Sequence, residues 1–309
     1  MSNSIIKEPL HGLIAATHTP FHADGALNLA VVERQAEHLL ANQVRTVFIG
    51  GSTGESHSLT LDERLALTKR WAEVTRGTRL RVVVHVGSNC LTDAKTMAKH
   101  AQQHGAAAIS ALAPSYYKPR SLDMLVACAA EIAAAAPLTP FYYYDIASMT
   151  GAHFSMPDFL AEAKDRIPTL AGIKFSNADQ LAYLRCLRAD AGKWDIPFGI
   201  DEYMLGALAL GAKGAVGSSF NFAASVYHRL IAAFERGDMA TARDEQFCSV
   251  QLIHVLGTFG YLSAAKAVMA MLDVPVGPPR LPNGLLTTEQ VQQLRTQLEK
   301  LGFFEWLTQ

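Results

Sequence analysis

The sequence predicts an α/β protein, a (β/α)8 TIM barrel with a C-terminal three-helix extension. Three observations support this prediction. Short β-branched or aromatic segments alternate with longer helical segments, eight such pairs fall within residues 1–236, and no strand segment follows residue 237. A barrel of this kind typically takes ~250 residues. A doubly wound sheet also alternates strand and helix, but no Gly-x-Gly-x-x-Gly follows the first predicted strand.

The predicted elements follow in chain order from the hydrophobic pattern. The strands are Leu13–Phe21, Thr46–Gly51, Arg81–Gly87, Ala107–Pro114, Phe141–Asp145, Leu170–Ser176, Ile196–Asp201 and Gly214–Ser219. The barrel helices are Leu29–Asn42, Leu61–Arg76, Thr92–His104, Ser121–Ala136, Met156–Asp165, Ala178–Asp190, Glu202–Gly211 and Phe222–Arg236. Three further helices are predicted over Met239–Gly257, Tyr261–Leu272 and Thr287–Leu301. We therefore expect a barrel domain over residues 1–236 and a helical extension over 237–309.

Composition and charge exclude several classes of function. Half of the 309 residues are apolar, and 27 basic against 28 acidic residues give a net charge of −1. This balance argues against nucleic acid and anionic membranes as partners. The first ten residues, Met1–Leu10, include charged Lys7 and Glu8 and predict no secretory signal. No stretch reaches the ~20 apolar residues that span a bilayer.

The four cysteines predict the compartment. They are Cys90, Cys128, Cys186 and Cys248. Since they lie far apart and show no Cys-x-x-Cys spacing, they are typical of buried, unpaired thiols in a reducing compartment. The sequence thus predicts a cytoplasmic protein.

The carboxyl ends of barrel strands meet at one face, where the chemistry of this fold is found. The second predicted strand leads into the segment Gly50–Glu55, whose glycines let the backbone approach a ligand. Ser52 and Thr53 add two hydroxyls and backbone N–H groups, which together suit a small carboxylate. The same segment also fits an ordinary glycine-rich turn.

The fifth and sixth strands carry the strongest chemical pattern. Period-two geometry places Tyr142 and Tyr144 on one face of their strand and Tyr143 on the other. Lys174 is a lone charge in an otherwise uncharged strand, and burial of an ammonium lowers its pKa and makes the amine nucleophilic. Tyr144 beside it suits a proton shuttle. Core packing of the aromatic side chain and a snorkelling lysine are the structural alternatives.

The seventh and eighth strands end in polar residues that suit a polyol. Asp201 and Glu202 offer acceptors for several hydroxyls, although an N-cap followed by a first-turn acid is the alternative. Among the eleven histidines we find no metal-ligand set, and His85 has the pattern of a hydrogen-bonded core or site-lining residue. The sequence also lacks Gly-x-x-x-x-Gly-Lys-Ser/Thr, so nucleotide chemistry has no support.

These motifs together resemble the dihydrodipicolinate synthase/N-acetylneuraminate lyase family of pyruvate-dependent class I aldolases. The resemblance covers essentially the whole chain, from Gly12-Leu-Ile-Ala-Ala-Thr to Gly277-Pro-Pro-Arg-Leu-Pro. It is strongest to the lyases of animal type. The matching motifs are Phe141-Tyr-Tyr-Tyr, Gly172-Ile-Lys-Phe-Ser, Phe198-Gly-Ile-Asp-Glu and Gly214-Ala-Val-Gly-Ser-Ser.

The resemblance implies a fold, an assembly and roles for individual residues. It implies the barrel with its three-helix extension, usually as a homotetramer. Lys174 would form an imine with pyruvate or the sialic acid, Tyr144 would relay a proton, and Ser52 and Thr53 would bind the pyruvate carboxylate. Tyr116 matches an aromatic that lines the site near a subunit boundary. The residues matching positions that hold the sugar are Ser176, Gly199, Asp201, Glu202 and Ser218.

The implied reaction is reversible cleavage of N-acetylneuraminate to N-acetylmannosamine and pyruvate. Its small-molecule partners are the sugar acid and pyruvate. It needs no metal or organic cofactor, because a protonated lysine imine is itself an electron sink for the carbanion that cleavage leaves.

Several alternatives stay open at the level of sequence. An aldolase or dehydratase of the same family, acting on a 2-keto-3-deoxy sugar acid, would keep Lys174 and Tyr144. A dihydrodipicolinate synthase is disfavoured, because Met149 stands where that branch carries an arginine for a second carboxylate. A sugar-binding homologue without catalysis is the alternative from another class. Asp145 and Ala147 also depart from the family pattern, which predicts a looser loop and a charge near the site.

Overall fold

The computed structural model describes residues 8–308. Of the N-terminal segment Met1–Leu10, residues 1–7 therefore lie outside the described residues. Seven parallel strands form one sheet in the order β6-β5-β4-β3-β2-β1-β7. The strands are β1 Gly12–Ala16, β2 Thr46–Ile49, β3 Arg81–His85, β4 Ala108–Leu112, β5 Phe141–Asp145, β6 Leu170–Phe175 and β7 Gly214–Gly217.

An extended segment, 195–200, closes the sheet into a barrel between its two edges, β6 and β7. It forms isolated parallel bridges, in which Phe198 pairs with both Phe175 and Ala215. The prediction of a regular strand over Ile196–Asp201 is thus wrong, although this segment does form the part of the barrel wall that was expected of it. The reason is Pro197, which has no N–H to donate on the β6 side of the segment. Its carbonyl still accepts from the Phe175 N–H at 2.9 Å.

The barrel wall between β6 and this segment is thin because residue 172 is glycine. A Cβ at Gly172 would lie 1.7 Å from the carbonyl oxygen of Asp195. The two backbones can approach this closely only without a side chain between them. The close approach carries the hydrogen bond from the Ile173 N–H to the Asp195 carbonyl, 3.2 Å.

Two hydrophobic clusters lie on opposite sides of the wall. A large shell packs the outer faces of the strands against the helices. A small cluster fills the barrel interior and includes Phe48, Tyr142 and Tyr144, whereas Tyr143 belongs to the outer shell. The period-two prediction for β5 is therefore confirmed. Lys174 is the partner of Tyr144 in the β5–β6 register, so the lysine lies at the same level of the barrel.

Helices cover the outside of the barrel. They are α1 Val31–Ala41, α2 Leu61–Thr75, α3 Leu91–Gln103, α4 Leu122–Ala134, α5 Ala147–Thr150, α6 Met156–Ala163, α7 Gln180–Arg188, α8 Met204–Leu210 and α9 Ala224–Glu235. Short 3-10 turns span Ser56–Ser58, Ala189–Gly192, Asp201–Tyr203 and Ser219–Asn221. The sequence did not predict α5. This helical turn follows β5 directly, where a loosened loop was expected, and backbone bonds from Met149 and Thr150 to the Ile146 carbonyl hold it.

The extension contains α10 Met239–Thr258, α11 Tyr261–Met271, α12 Thr288–Leu301 and the short α13 Phe303–Trp306. The predicted barrel with C-terminal helices is thus confirmed. In residues 8–308 no single helix is long and apolar enough to cross a membrane. The helices α10 and α11 reach that length and apolarity only when taken together, and they are bent by 110° relative to each other.

The four cysteines are all unpaired, as the sequence predicts. The expectation that they are buried is correct for Cys186 but wrong for Cys90, which is exposed. Cys90 lies immediately before α3, at the surface end of the loop that follows β3, so no core covers it.

Candidate active site

Lys174 lies inside the barrel near the carboxyl ends of the strands. Its side chain is buried, and its Nζ lies 3.9 Å from the ring centroids of both Phe48 and Tyr144. Two aromatic faces stabilise a cation that has lost its water. Burial lowers the pKa of Lys174, and Tyr144 and Asp201 offset that lowering only in part. A larger share of the amine is therefore neutral, and nucleophilic, than in a lysine exposed to water.

Tyr144 connects this lysine to the turn after β2. Its ring is buried, and its hydroxyl lies 3.4 Å from the Ser52 Oγ. The ring also packs edge-on against His85, with centroids 5.8 Å apart. The His85 Nδ1 lies 2.8 Å from the Gly50 carbonyl and so must carry the proton of that bond. Burial lowers the pKa of His85 well below its usual value, so this imidazole is neutral, as the sequence predicted for a hydrogen-bonded core or lining residue.

The turn Gly50–Glu55 has a fixed conformation. Gly50 adopts a φ of 62°, and a Cβ at Gly54 would lie 3.0 Å from the Gly50 nitrogen. The turn presents the Thr53 hydroxyl to the Ser218 Oγ, 2.6 Å away at the end of β7. Ser52 and Thr53 therefore project from a turn whose backbone closes tightly on itself, which suits a receptor of defined shape.

Asp201 is buried and held from behind by a chain of hydroxyls. Ser219 donates to its Oδ2 from the backbone N–H, at 2.9 Å, and from its hydroxyl. The Ser219 Oγ lies 2.6 Å from the Tyr227 hydroxyl, which in turn lies 2.7 Å from the Ser249 Oγ. Burial raises the pKa of Asp201 to about 6, although the bonds from Ser219 oppose this shift. The carboxyl group is thus oriented and able to change charge near neutral pH.

Ser176 and Gly199 meet at the ends of β6 and the 195–200 segment. A Cβ on residue 199 would lie 2.0 Å from the Ser176 Oγ and 3.0 Å from its Cβ, so a larger residue there would displace the Ser176 hydroxyl. The Ser176 Oγ is inaccessible and has no hydrogen-bond partner within the described chain. A buried hydroxyl without a partner is unfavourable, and a ligand hydroxyl that reached Ser176 would supply the missing bond.

Several residues singled out from the sequence lie apart from this group. Tyr116 is 77% exposed, and its neighbour Tyr117 is 87% exposed, so the single chain does not bring Tyr116 into the site. Glu202 is half-buried in the 3-10 turn beside Asp201. Asp145 is buried on the outer side of β5, where it accepts a hydrogen bond from the Asn177 amide, so its charge does not face Lys174.

A cavity of about 740 Å³ opens at this end of the barrel. It is lined by Ser52, Thr53 and Ser218, and also by Met149. Much of the remaining wall comes from the extension, through residues 260–263 and 282–284. Half-buried Tyr261 in that wall was missed by the sequence analysis, because its distance along the chain from β2 and β7 hides their proximity.

Two further residues were missed. Phe48 supplies one ring over the Lys174 ammonium, and its inward position follows from period two in Thr46–Ile49. Ser219 binds Asp201, and only its position next to Ser218 could have indicated this. Across residues 8–308, no three His, Cys, Asp or Glu side chains are arranged to hold a metal ion. The candidate site therefore combines the buried amine of Lys174, the neighbouring phenol of Tyr144 and hydroxyls that suit the binding of a carboxylate.

Comparison with known proteins shows the family to which the chain belongs. The N-acetylneuraminate lyase of Xenopus tropicalis is 40% identical, over 94% of this chain and 97% of its own length. The solved N-acetylneuraminate lyase of Proteus mirabilis has a TM-score of 0.93 and 38% identity, over 96% of this chain and 100% of its own. That of Aliivibrio salmonicida has a TM-score of 0.93 and 40% identity, over 96% and 98%. Residues 9–301 match the Dihydrodipicolinate synthetase family, and the chain belongs to that family.

Proposed function

We propose that this chain is a class I aldolase that cleaves N-acetylneuraminate reversibly to N-acetylmannosamine and pyruvate. The observation that carries the proposal is the buried Lys174 amine, placed against Tyr144 at the carboxyl end of the barrel. Relatives named N-acetylneuraminate lyase, 36–42% identical over most of the chain, support the sugar acid as substrate. Exposed Met149, an apolar side chain, argues against a second carboxylate substrate.

The first step forms an imine. The neutral Lys174 amine attacks the ketone carbon of the open-chain sugar acid. The resulting carbinolamine takes a proton from the neighbouring Tyr144 hydroxyl and loses water, which leaves a protonated imine and a Tyr144 phenolate. The lowered pKa of Lys174 increases the neutral fraction that can attack. Aromatic rings on two sides keep water away from the amine and stabilise the positive charge that the imine carries.

The second step breaks the carbon–carbon bond. Tyr144 accepts, directly or through the neighbouring Ser52 hydroxyl, the proton of the hydroxyl on the carbon that becomes the aldehyde. The electron pair of the breaking bond moves into the imine and leaves an enamine on Lys174. Protonation of the enamine and hydrolysis of the imine then release pyruvate and restore the amine. Atoms and charges balance without an external reductant or oxidant.

The two ends of the substrate need different receptors. Ser52 and Thr53, on the tight turn after β2, bind the carboxylate next to the reacting ketone. Ser176, which follows β6, and Asp201, which follows the 195–200 segment, bind hydroxyls of the sugar portion. The unpartnered Ser176 Oγ supports this role, because a sugar hydroxyl would supply the missing hydrogen bond.

The proposed chemistry requires only small molecules and the lysine itself. We propose no metal or organic cofactor, because the imine acts as the electron sink. The partners are the sugar acid and pyruvate, without nucleic acid or membrane. The four unpaired cysteines support a reducing, cytoplasmic location.

We also propose a homotetramer in which Tyr116 packs against a second copy near that copy's site. Tyr116 and Tyr117 form an edge-on pair, 5.1 Å between centroids, and both side chains are largely exposed. Exposed aromatic pairs of this kind are typical of interface anchors. The backbone around them is fixed, since Asn89 accepts from the N–H groups of Ser115 and Tyr116.

Trapping with borohydride tests the imine. We expect reduction in the presence of pyruvate to add a pyruvate-derived group to Lys174, located by peptide mass spectrometry. Lys174→Ala should fold, lose the adduct and lose nearly all turnover. The matched control is Lys193→Ala, which removes an amine over Trp194 elsewhere and should keep both. A folded wild-type protein without an adduct, or a Lys174→Ala variant with full turnover, would refute the mechanism.

Substitution of two tyrosines that point into the barrel distinguishes a role in proton transfer from a role in packing. Tyr144→Phe should lower kcat by ~10²–10⁴-fold, the usual contribution of a placed general acid–base, while the adduct on Lys174 still forms at saturating pyruvate. Tyr142→Phe is the control, because its hydroxyl binds Asp195 at 2.7 Å lower in the barrel. It should lower Tm and leave kcat within about threefold. Equal losses of kcat in both variants would show that Tyr144 acts only through packing.

The raised pKa of Asp201 predicts a pH dependence of stability. Its native pKa of about 6 exceeds the usual 3.8, so the folded state holds the proton more tightly than the unfolded chain. Stability therefore falls as pH rises between these values, and the loss persists above them. Asp201→Asn should raise the free energy of unfolding by about 3 kcal/mol at pH 8 and little at pH 4. Urea unfolding measures this, with exposed Asp244→Asn as control; equal gains at both pH values would contradict it.

The assembly can be tested by light scattering after size-exclusion chromatography. We expect the mass of four chains at assay concentration. Tyr116→Ala should weaken the assembly and raise the KM for the sugar acid, because an anchor is lost. Leu138→Ala is the control, because Leu138 is similarly exposed, at 81%, and follows α4. This variant should change neither the mass of the assembly nor the KM for the sugar acid. A monomer with full activity would contradict the proposed assembly.

A further inference from the structure

A second buried lysine, Lys266, lies outside the proposed reaction. It belongs to α11 of the extension, and its Nζ forms an ion pair of 2.6 Å with the Glu55 Oε1. The side chains of both residues are 1% exposed. The same Nζ donates to the carbonyls of Thr19, at 2.9 Å, and Pro278, at 3.1 Å. Lys266 therefore joins the loop after β1, the turn after β2 and the connection after α11.

Two other basic side chains, Arg280 and His18, lie near the ion pair, and neither forms an ion pair with Glu55. The second oxygen of Glu55 accepts from the Arg280 backbone N–H at 2.7 Å. The Arg280 guanidinium binds Glu63 instead, so its charge is already compensated. His18 faces Lys266, but burial and Lys266 lower the pKa of His18 to about 3, and it stays neutral. Among the described residues, Lys266 is thus the side-chain cation paired with Glu55.

Glu55 ends the turn that carries Ser52 and Thr53. It adopts a φ of 56°, a left-handed conformation that is unfavourable for a residue with a side chain. Such a conformation persists only where surrounding contacts fix it. The Glu55 N–H also donates to the Ser52 carbonyl at 3.0 Å, so movement of Glu55 moves Ser52 directly.

We infer that Lys266 and Glu55 are positioning residues for the pyruvate-carboxylate receptor, so that the extension sets the geometry of the turn after β2. This inference rests on the proposed function. Neither side chain reaches the substrate, because both are covered by protein. Their effect passes through the turn to Ser52 and Thr53, and it concerns the carboxylate end of the substrate, not the sugar end.

The test compares variants that break the pair with one that breaks a different pair. Lys266→Met leaves the Glu55 carboxylate buried without its ion partner, and Glu55→Gln keeps the shape and removes the charge. Arg229→Met is the control, since Arg229 binds Glu245 at 2.6 Å and ties α9 to α10 without touching the turn. Two quantities are measured on each full-length variant: the pyruvate concentration for half-maximal borohydride trapping at Lys174, and the KM for N-acetylmannosamine in synthesis.

We expect Lys266→Met to raise the half-maximal pyruvate concentration by about tenfold or more, because a misplacement of ~1 Å can cost ~10²-fold. The KM for N-acetylmannosamine should stay within about twofold, and Arg229→Met should lower Tm without changing either quantity. Unchanged pyruvate dependence in folded Lys266→Met overturns the inference. If that variant does not fold, unchanged dependence in Glu55→Gln overturns it. Parallel losses in Arg229→Met would show general destabilisation, whereas a wild-type protein without adduct would refute the proposed function itself.

Discussion

The burial of one ammonium group organises the centre of this protein. Lys174 points into a barrel interior filled by aromatic and aliphatic side chains, where an ion without partners is strongly disfavoured. The structure meets this constraint with the faces of Phe48 and Tyr144 and with the distant charge of Asp201. None of these is a close carboxylate, which would hold the proton firmly on the amine. The charged amine is therefore stabilised in the folded protein, while burial keeps the pKa of Lys174 below its usual value.

The same constraint explains why glycines recur around the site. Gly172, Gly199 and Gly217 each face a backbone or side chain that a Cβ would overlap. At Gly217 the overlap would be with the Asp201 carboxyl group, 2.5 Å away. These glycines bring the backbones close together between β6 and β7, where the 195–200 segment takes the place of a regular strand. The absence of a Cβ at these positions lets Asp195, Ser176 and Asp201 pack directly against the backbone of the wall.

Local patterns in the sequence were sufficient to predict most of the fold and the burial of the residues at the centre of the candidate site. Period two separated Tyr144 from Tyr143, and a lone charge in an apolar strand identified Lys174. The seventh predicted strand, Ile196–Asp201, was assigned as regular, because its apolar pattern gives no sign that Pro197 lacks the N–H of a regular ladder. Tyr116 matched a site-lining position by resemblance, but in the single chain its side chain is 77% exposed and lies apart from the other candidate residues. Lys266, a lone charge in an apolar helix, carried the same local signal as Lys174, but its partner Glu55 lies far away in sequence.

The link between Glu55 and Lys266 also gives the order in which the site becomes complete. During synthesis on the ribosome, Lys174 and the turn that carries Ser52 emerge well before α11 does. Until α11 packs, Glu55 has no ammonium partner, and its left-handed turn lacks the contact that fixes it. The buried amine of Lys174 is thus synthesised before the contact that fixes the turn after β2. On the positioning role that we infer for Lys266, packing of α11 completes the geometry of that turn.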